Sequence, residues 1–297
     1  MSAGGSTTTT DAATAVSRTV DDGDSVYLAG FGHLVPYALG HELIRQSCRD
    51  LTLVRPVVIH LADQIVAAGC ASKVVFSWLG GPATERALAD GLPFEEYSHY
   101  GMVARLSAGA RKLPFAPLRS YVGSDLPAHN DRIRTVESPY GSEEITVLPP
   151  LAPDVTLVHA QRADPAGNAH VLGLTGDVRD AVLAAETVVL SVEEIVDPAV
   201  IAADPARTIV LGEEVDYLVE APFGAHPSYA HGYYDTDRDL FDWPETADTP
   251  EGAAAWLDEW VYGLDRGAYL DRVGVERLLG LRPAARTVDA VNWEGDR

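Results

Sequence analysis

Lysine is almost absent from this sequence. Lys73 and Lys112 are the only two lysines, and arginine supplies the rest of the 22 basic residues. Aspartate and glutamate together number 44, so the formal net charge is -22. A field this negative repels nucleic acids and anionic lipid surfaces, and we therefore expect neither as a partner.

The acidic, lysine-poor composition predicts a surface adapted to high salt, as in a halophilic protein. At 1 M salt the Debye length falls to ~3 Å, so carboxylates no longer repel one another over long distances. An acidic protein of an ordinary low-salt cell is the alternative interpretation, and the composition leaves both open.

Cysteine and long apolar runs are also scarce. Cys48 and Cys70 stand in no metal-binding or redox spacing, which predicts two buried, reduced thiols in a cytoplasmic protein. No apolar run reaches the ~18 residues of a membrane span. Residues 1–10 are rich in Ser, Gly and Thr and lack a basic start, so we expect a disordered N-terminus and no signal peptide.

Short apolar runs alternate with helical stretches. The predicted strands are 26–28, 51–54, 57–60, 74–78, 155–159, 187–192, 209–211 and 217–220. The predicted helices are 36–47, 61–68, 98–111, 177–185, 249–264 and 267–279. Near-continuous apolar strands between helices favour an α/β fold with an open, mostly parallel sheet and helices on both faces. We expect one domain over 11–283, with 113–153 wrapping the sheet edge, and a polar tail over 284–297.

Two glycine turns follow predicted strands. Gly30-Phe31-Gly32-His33 follows strand 26–28, and Gly80-Gly81 follows strand 74–78. Glycines at the C-terminal end of a parallel strand let a ligand approach the backbone and the free N–H groups of the next helix. We predict that both turns bind substrate, and purely structural turns are the alternative.

Several side chains near strand and helix ends are weaker candidates. His99 is a possible acid, base or donor to substrate, next to Ser98, which we expect to cap a helix. Glu193 and Glu194 end a strand, where a surface or capping role is favoured over that of a nucleophile. Trp78 is expected in the core. No histidine, cysteine or acidic group has the spacing of metal ligands, so no metal site is predicted.

The most distinctive segment follows the last predicted strand. It runs from Ala221 to Asp235, is rich in aromatic residues and histidine, and contains Gly224, His226 and Ser228. Rigid loops of this kind either bind a substrate or pack against a partner chain, and the spacing alone does not choose between them.

In this order, the segments resemble the alpha (A) subunits of family I CoA-transferases of the glutaconate type. The resemblance covers about residues 11–283, and the sequence Gly-Ala-His-Pro-Ser at 224–228 is its most specific part. The matching stretches are Ala29–Phe31, His41–Gln46, Asp50–Thr52, Leu113–Pro117, Val158–Gln161, Val192–Ile195, Ala221–Ser228, Tyr269–Leu270 and Gly274–Leu281.

The resemblance implies a fold of the CoA-transferase or NagB/RpiA type and a partner B (beta) subunit. It implies that CoA moves from an acyl-CoA to a free carboxylic acid, with coenzyme A as a substrate and no permanently bound cofactor. The nucleophilic glutamate is expected on the B subunit, so no catalytic residue is expected in this chain. Gly30–Gly32 is then expected to offer backbone donors to the thioester oxyanion. We expect Gly30→Val to lower turnover with little change in stability or assembly.

Two alternatives stay open. A related A/B hydrolase opens a ring of a steroid-derived CoA ester with a glutamate of its A subunit, and that position aligns with Tyr100 here. Because a tyrosine with a reference pKa of ~10 is a poor base at neutral pH, transfer is favoured over hydrolysis. Related folds also serve as non-catalytic metabolite sensors, and a missing B subunit would favour that function.

Overall fold

The computed structural model of the protein describes residues 7–121, 123–242 and 244–283. Its strands are β1 (Thr8–Thr10), β2 (Ser25–Leu28), β3 (Leu51–Val54), β4 (Val57–Val58), β5 (Ala71–Phe76), β6 (Trp78–Leu79), β7 (Phe94–Glu96), β8 (Ala116–Leu118), β9 (Arg134–Glu137), β10 (Glu144–Leu148), β11 (Val155–Ala163), β12 (Ala169–His170), β13 (Thr187–Ile195), β14 (Thr208–Val210) and β15 (Tyr217–Glu220). Its α-helices are α1 (Ala12–Thr19), α2 (Tyr37–Arg45), α3 (Leu61–Ala67), α4 (Pro82–Ala89), α5 (His99–Ala110), α6 (Leu126–His129), α7 (Val178–Ala184), α8 (Pro198–Ala202), α9 (Arg238–Phe241), α10 (Pro250–Trp260), α11 (Arg266–Val273) and α12 (Val275–Gly280).

The main sheet has the strand order β1-β15-β13-β11-β2-β3-β5-β7, and every neighbouring pair in this order is parallel. The short strands β12 and β14 extend it in antiparallel fashion. The predicted open, mostly parallel α/β sheet is therefore confirmed. The chain runs outward from β2 in one direction and from β11 in the other, so the order reverses between these two strands. In open α/β sheets, ligands bind at the C-terminal ends of the strands at such a reversal.

Helices cover both faces of this sheet, as the sequence predicts. Along β2, Val26 and Leu28 pack into one hydrophobic cluster, while Tyr27 packs into the cluster on the other face. Alternate side chains of a strand point to opposite faces, so a strand buried on both sides must be apolar throughout. Burying one side chain of the size of Leu28 stabilises the fold by roughly 2 kcal/mol.

Two predictions about the chain's organisation need correction. Thr8–Thr10, expected to be disordered, forms the edge strand β1 and pairs in parallel with Tyr217–Val219. Residues 113–153 are not merely a wrapping segment, because they contain the antiparallel sheet β8-β10-β9. Its buried residues join the cluster of the main sheet, so it is no separate domain. The rest of the predicted N-terminal disorder and the polar tail 284–297 lie outside the described residues.

Helix ends depend on individual residues. Ser98 caps α5 as predicted, since its hydroxyl accepts a hydrogen bond from the N–H of Gly101 at 3.0 Å. The predicted helix over 267–279 is two helices, separated at Gly274, whose φ of 92° lies outside the helical range. In the part of the chain that the structure describes, no helix has the length and apolarity needed to span a bilayer. Cys48 and Cys70 are free and buried, as expected.

Candidate active site

The turn Gly30–Gly32 lies at the C-terminal end of β2, beside the reversal of strand order. Gly30 and Gly32 have φ values of 85° and 62°, which side chains rarely adopt. Among the described residues, the N–H groups of Gly30, Phe31 and Gly32 have no acceptor. The Phe31 side chain is 53% exposed. Three free amides at an exposed strand end can stabilise a negatively charged oxygen.

The carbonyl groups of this turn are held by Arg55, which the sequence analysis missed. Its guanidinium donates to the carbonyl oxygens of Leu28 at 3.1 Å, Ala29 at 3.3 Å and Gly30 at 3.0 Å. Arg55 is 4% exposed, and burial lowers the pKa of its guanidinium. The one signal for this role in the sequence was an arginine between two apolar runs. By binding the carbonyls of Ala29 and Gly30, Arg55 fixes the orientation of the peptide units that carry the free N–H groups of Gly30 and Phe31.

The loop over 221–229 supports the turn from the other side. Ser228 Oγ donates to the carbonyl oxygen of Gly32 at 3.0 Å, and the N–H of Leu34 donates to the carbonyl of Tyr229 at 3.0 Å. The N–H of Ala38, in the first turn of α2, donates to the carbonyl of Gly224 at 2.9 Å. The two most distinctive motifs of the sequence are therefore parts of one structure.

The prediction that Gly224, His226 and Ser228 face a substrate or partner is wrong, because all three are buried. His226 lies between the hydroxyl of Tyr269 at 2.9 Å and the carboxylate of Asp237 at 3.1 Å. Burial by itself would raise the pKa of Asp237, but hydrogen bonds from His226 and the Arg277 guanidinium outweigh it and hold this pKa well below its usual range. Burial lowers the pKa of His226. These residues hold the loop in place.

Glu193 anchors the same loop, and the favoured surface role for it is wrong. Its buried carboxylate accepts hydrogen bonds from the N–H of Phe223 at 2.6 Å and from the hydroxyl of Tyr234. It also lies 2.8 Å from Nε2 of His159. An added Cβ on Gly224 would lie 2.6 Å from the His159 ring, which explains the glycine. The carboxylate is fully engaged as a structural acceptor, so it is no free nucleophile.

His33 follows the turn but is only 1% exposed. Its Nδ1 lies 3.2 Å from the carbonyl oxygen of Leu174, and its Nε2 accepts from the N–H of His231 at 3.1 Å. The ring is therefore neutral with its proton on Nδ1, and burial lowers its pKa to about 4. The prediction that His33 contacts substrate is wrong, since both nitrogens bind the protein.

The second glycine turn differs from the first. Gly81 precedes α4 and is buried, and an added Cβ would collide with the carboxylate of Asp63. That carboxylate accepts from the N–H groups of Ala83 at 3.2 Å and Thr84 at 2.7 Å. It thus occupies the positive end of α4, where an anionic ligand would bind. The predicted substrate-binding role of Gly80 and Gly81 is therefore wrong for Gly81.

Trp78 and Gly80 lie on the surface beside that turn. Trp78 is 55% exposed, so its predicted place in the core is wrong. Gly80 is also exposed, and an added Cβ would collide with the Trp78 ring. Its N–H donates to the carbonyl of Val58 at 3.2 Å. The amide of Gly80 is thus used inside the protein, unlike the three amides of the first turn.

His99 is the predicted polar side chain that does meet the glycine turn. It is exposed, and its ring lies edge-on to the ring of Phe31, with centroids 5.7 Å apart. Its Nδ1 is 3.0 Å from Oγ of Ser77. The neighbouring Tyr100 is 65% exposed. The site thus consists of three backbone amides, a histidine and exposed aromatic rings, with no nucleophile in contact with the amides among the described residues.

The comparisons with known proteins agree with this geometry. The family model for coenzyme A transferase matches residues 9–221. The chain is 41% identical to the A subunit of 3-oxoadipate CoA-transferase from Pseudomonas knackmussii, over 84% of this chain and 92% of that protein. It is 32% identical to a cholesterol ring-cleaving hydrolase subunit of Rhodococcus jostii, over 81% of this chain and 88% of that one.

A solved structure shares the architecture. Glutaconate coenzyme A-transferase from Acidaminococcus fermentans superposes with a TM-score of 0.89 at 27% identity, covering 94% of this chain and 98% of that one. The turn Gly30–Gly32, which we call the free-amide turn, lies at the reversal of strand order in a parallel sheet. This geometry agrees with the family match and with the superposition, and all three lead to one conclusion. The chain belongs to the coenzyme A transferase family.

Proposed function

We propose that this chain is the A subunit of a heteromeric enzyme that moves CoA from an acyl-CoA to a free carboxylic acid. The observation that carries the proposal is the set of three free amides at Gly30–Gly32, held between Arg55 and Ser228. Two relatives with transferase names support it, the 3-oxoadipate and the glutaconate enzymes. Dicarboxylic acids are therefore the first substrates to test.

The reaction needs a carboxylate nucleophile, which we place on a B subunit. That carboxylate attacks the thioester carbonyl, the oxygen becomes negative, and CoA leaves as a thiolate to give an acyl anhydride. The thiolate then attacks the enzyme's own carbonyl in the anhydride, which releases the first acid and leaves an enzyme-CoA thioester. The acceptor acid completes the exchange by the reverse steps. The amides of Gly30–Gly32 would donate to the oxyanion at each addition.

Activity measurements with and without a B subunit test this proposal. The chain is expected to be inactive alone and to exchange CoA between glutaconyl-CoA and acetate when assembled with B. Exchange by the isolated chain would show that the nucleophile lies here, against the proposal. Hydrolytic opening of a carbon ring in a cyclic CoA ester, without exchange of CoA, would instead support a ring-cleaving hydrolase, whose related A subunit shares 32% identity with this chain. Failure to form any complex would favour a sensor.

We also propose a protein adapted to high salt, on the basis of the -22 charge and the two lysines, and a cytoplasmic location, on the basis of the two free cysteines. Screening by molar KCl relieves repulsion between carboxylates, so the thermal unfolding midpoint should rise clearly between ~0.1 M and ~2 M KCl. Calorimetry of the assembled enzyme measures this, with a relative of ordinary charge as control. Equal midpoints in the two buffers would contradict the adaptation.

A further inference from the structure

One tautomer of His99 follows from its neighbours. Ser77 Oγ lies 2.5 Å from the carbonyl oxygen of Pro56, and a carbonyl can only accept, so the hydroxyl proton is used there. The same Oγ lies 3.0 Å from Nδ1 of His99. Because Ser77 has no second proton to give, it accepts from His99. The neutral imidazole therefore carries its proton on Nδ1, and its Nε2 is unprotonated.

This Nε2 has no hydrogen-bond partner among residues 7–121, 123–242 and 244–283. The ring is exposed and touches Phe31, the central residue of the free-amide turn. Ser77 and Phe31 fix the ring in direction and position. The Nε2 atom of His99, which can accept a hydrogen bond, is therefore exposed to solvent next to the place where we expect the acyl group.

Groups of both negative and positive charge lie around His99. The carboxylate of Asp177, at the start of α7, is close enough to interact electrostatically with His99 and with Arg55, and it accepts a hydrogen bond from the Tyr27 hydroxyl. Burial raises the pKa of Asp177, and these three neighbours lower it. Asp177 is the negative group near His99, and α5, which begins at His99, adds the partial positive charge of its N-terminal end. Tyr100, the next residue on α5, is exposed.

The other basic groups at this turn cannot serve a substrate. Four carbonyl oxygens, that of Val57 and the three at the turn, occupy the guanidinium of Arg55, which is buried. His33 is buried and both of its nitrogens are bound. Among the described residues that contact the turn, His99 is the exposed one that can become a cation. A local positive charge there would attract a carboxylate substrate to a chain of net charge -22.

On the basis of the proposed function, we propose that His99 takes up a proton when the carboxylic acid substrate binds and donates Nε2–H to its carboxylate. The proton comes from solvent, Nδ1–H stays on Ser77, and the imidazole charge goes from 0 to +1. The proton returns to solvent when the carboxylate leaves. His99 is then a substrate-binding residue, and Ser77 is the positioning residue that keeps Nδ1 occupied.

Titration calorimetry tests this directly. Glutaconate is titrated into the assembled A/B enzyme at about pH 8 in phosphate and in Tris, whose ionisation enthalpies differ. The parent should take up about one proton per carboxylate bound, and its affinity should fall about tenfold per pH unit on the alkaline side of the imidazole titration. His99→Gln keeps an N–H donor without a titrating group, so it should take up no proton and bind with little pH dependence.

Two further variants separate titration of His99 from a general structural effect. Ser77→Ala removes the acceptor for Nδ1–H, so the neutral ring can carry its proton on Nε2, and proton uptake should fall towards zero while binding persists. His129→Gln changes an exposed histidine on α6, away from the turn, and it should behave as the parent.

Each possible result decides either the assignment of His99 or the proposed function. No proton uptake by the parent, no detectable binding of glutaconate, or unchanged uptake in His99→Gln each overturns the assignment. If proton-linked binding depends on His99 but the enzyme exchanges no CoA, the proposed function fails and the assignment of His99 stands. If CoA exchange is normal while His99→Gln leaves proton uptake unchanged, only the assignment of His99 fails.

Discussion

The two glycine turns look alike in the sequence and differ in the structure. Each follows a strand of parallel register and precedes a helix, α2 or α4. At Gly30–Gly32 the amides are free, while at Gly81 the carboxylate of Asp63 fills the helix end. A glycine pair at a strand end thus predicts a close approach to the backbone. It does not say whether a ligand or the protein's own side chain makes that approach.

The reason for glycine also differs from position to position. At Gly81 and Gly30 there is no room, since an added Cβ on Gly30 would lie 2.5 Å from the carbonyl oxygen of His33. Our expectation that Gly30→Val leaves stability unchanged is therefore wrong, because the turn would have to distort. At Gly32 an added Cβ meets nothing within 4 Å, and only the φ of 62° disfavours a side chain. Gly32 is the position at which binding can be tested without a clash.

The largest expected effect is on turnover in Gly32→Ala. The methyl group would extend into the open space next to the free amides and hinder the acyl oxygen. Losing the contact with one such donor typically lowers turnover about a hundredfold. Steady-state CoA exchange by the assembled enzyme measures this loss, with complex mass checked on the same preparation.

Gly69→Ala is the matched control for that variant. Gly69 has a φ of 74° and open space around its Cβ position, but it follows α3 and not the turn. Both variants should lose about 1 kcal/mol of stability through the strained backbone. If Gly32→Ala and Gly69→Ala turn over equally fast, the free-amide turn is only a support.

A smaller effect, on stability, is expected for Asp63→Ala. The buried carboxylate is the acceptor for two helix N–H groups and for the Thr84 hydroxyl at 2.6 Å, which would be left without a partner. The free energy of unfolding should fall by about 2 kcal/mol, as measured by urea denaturation. Asp63→Asn, which keeps one acceptor oxygen, should lose less.

Turnover per folded Asp63→Ala complex should stay within about twofold of the parent, because the amides at Gly30–Gly32 are untouched. A fall of a hundredfold with normal stability would place the second turn in the active site as well. The two variants together therefore decide whether this chain has one substrate-binding turn or two.

The sequence alone determined the features that depend on neighbouring residues. Apolar runs predicted the strands and the parallel sheet, because side chains buried on both faces must be apolar along the whole strand. Ser98 predicted the start of α5, because a cap bonds to an N–H three residues away. The place of the Gly30–Gly32 turn also followed from local order, since it comes directly after an apolar strand.

Only the tertiary structure decided which polar side chains are free. His33, Glu193 and Ser228 are used within the protein by partners as far as 198 residues away, and Trp78, expected inside, lies outside. Arg55 carries no motif, yet it holds the carbonyls of the turn. A histidine has the same chemistry in a sequence whether both of its nitrogens are bound or one is open. Burial and hydrogen bonding between distant segments separate His33 from His99, and these arise only when the sheet brings the segments together.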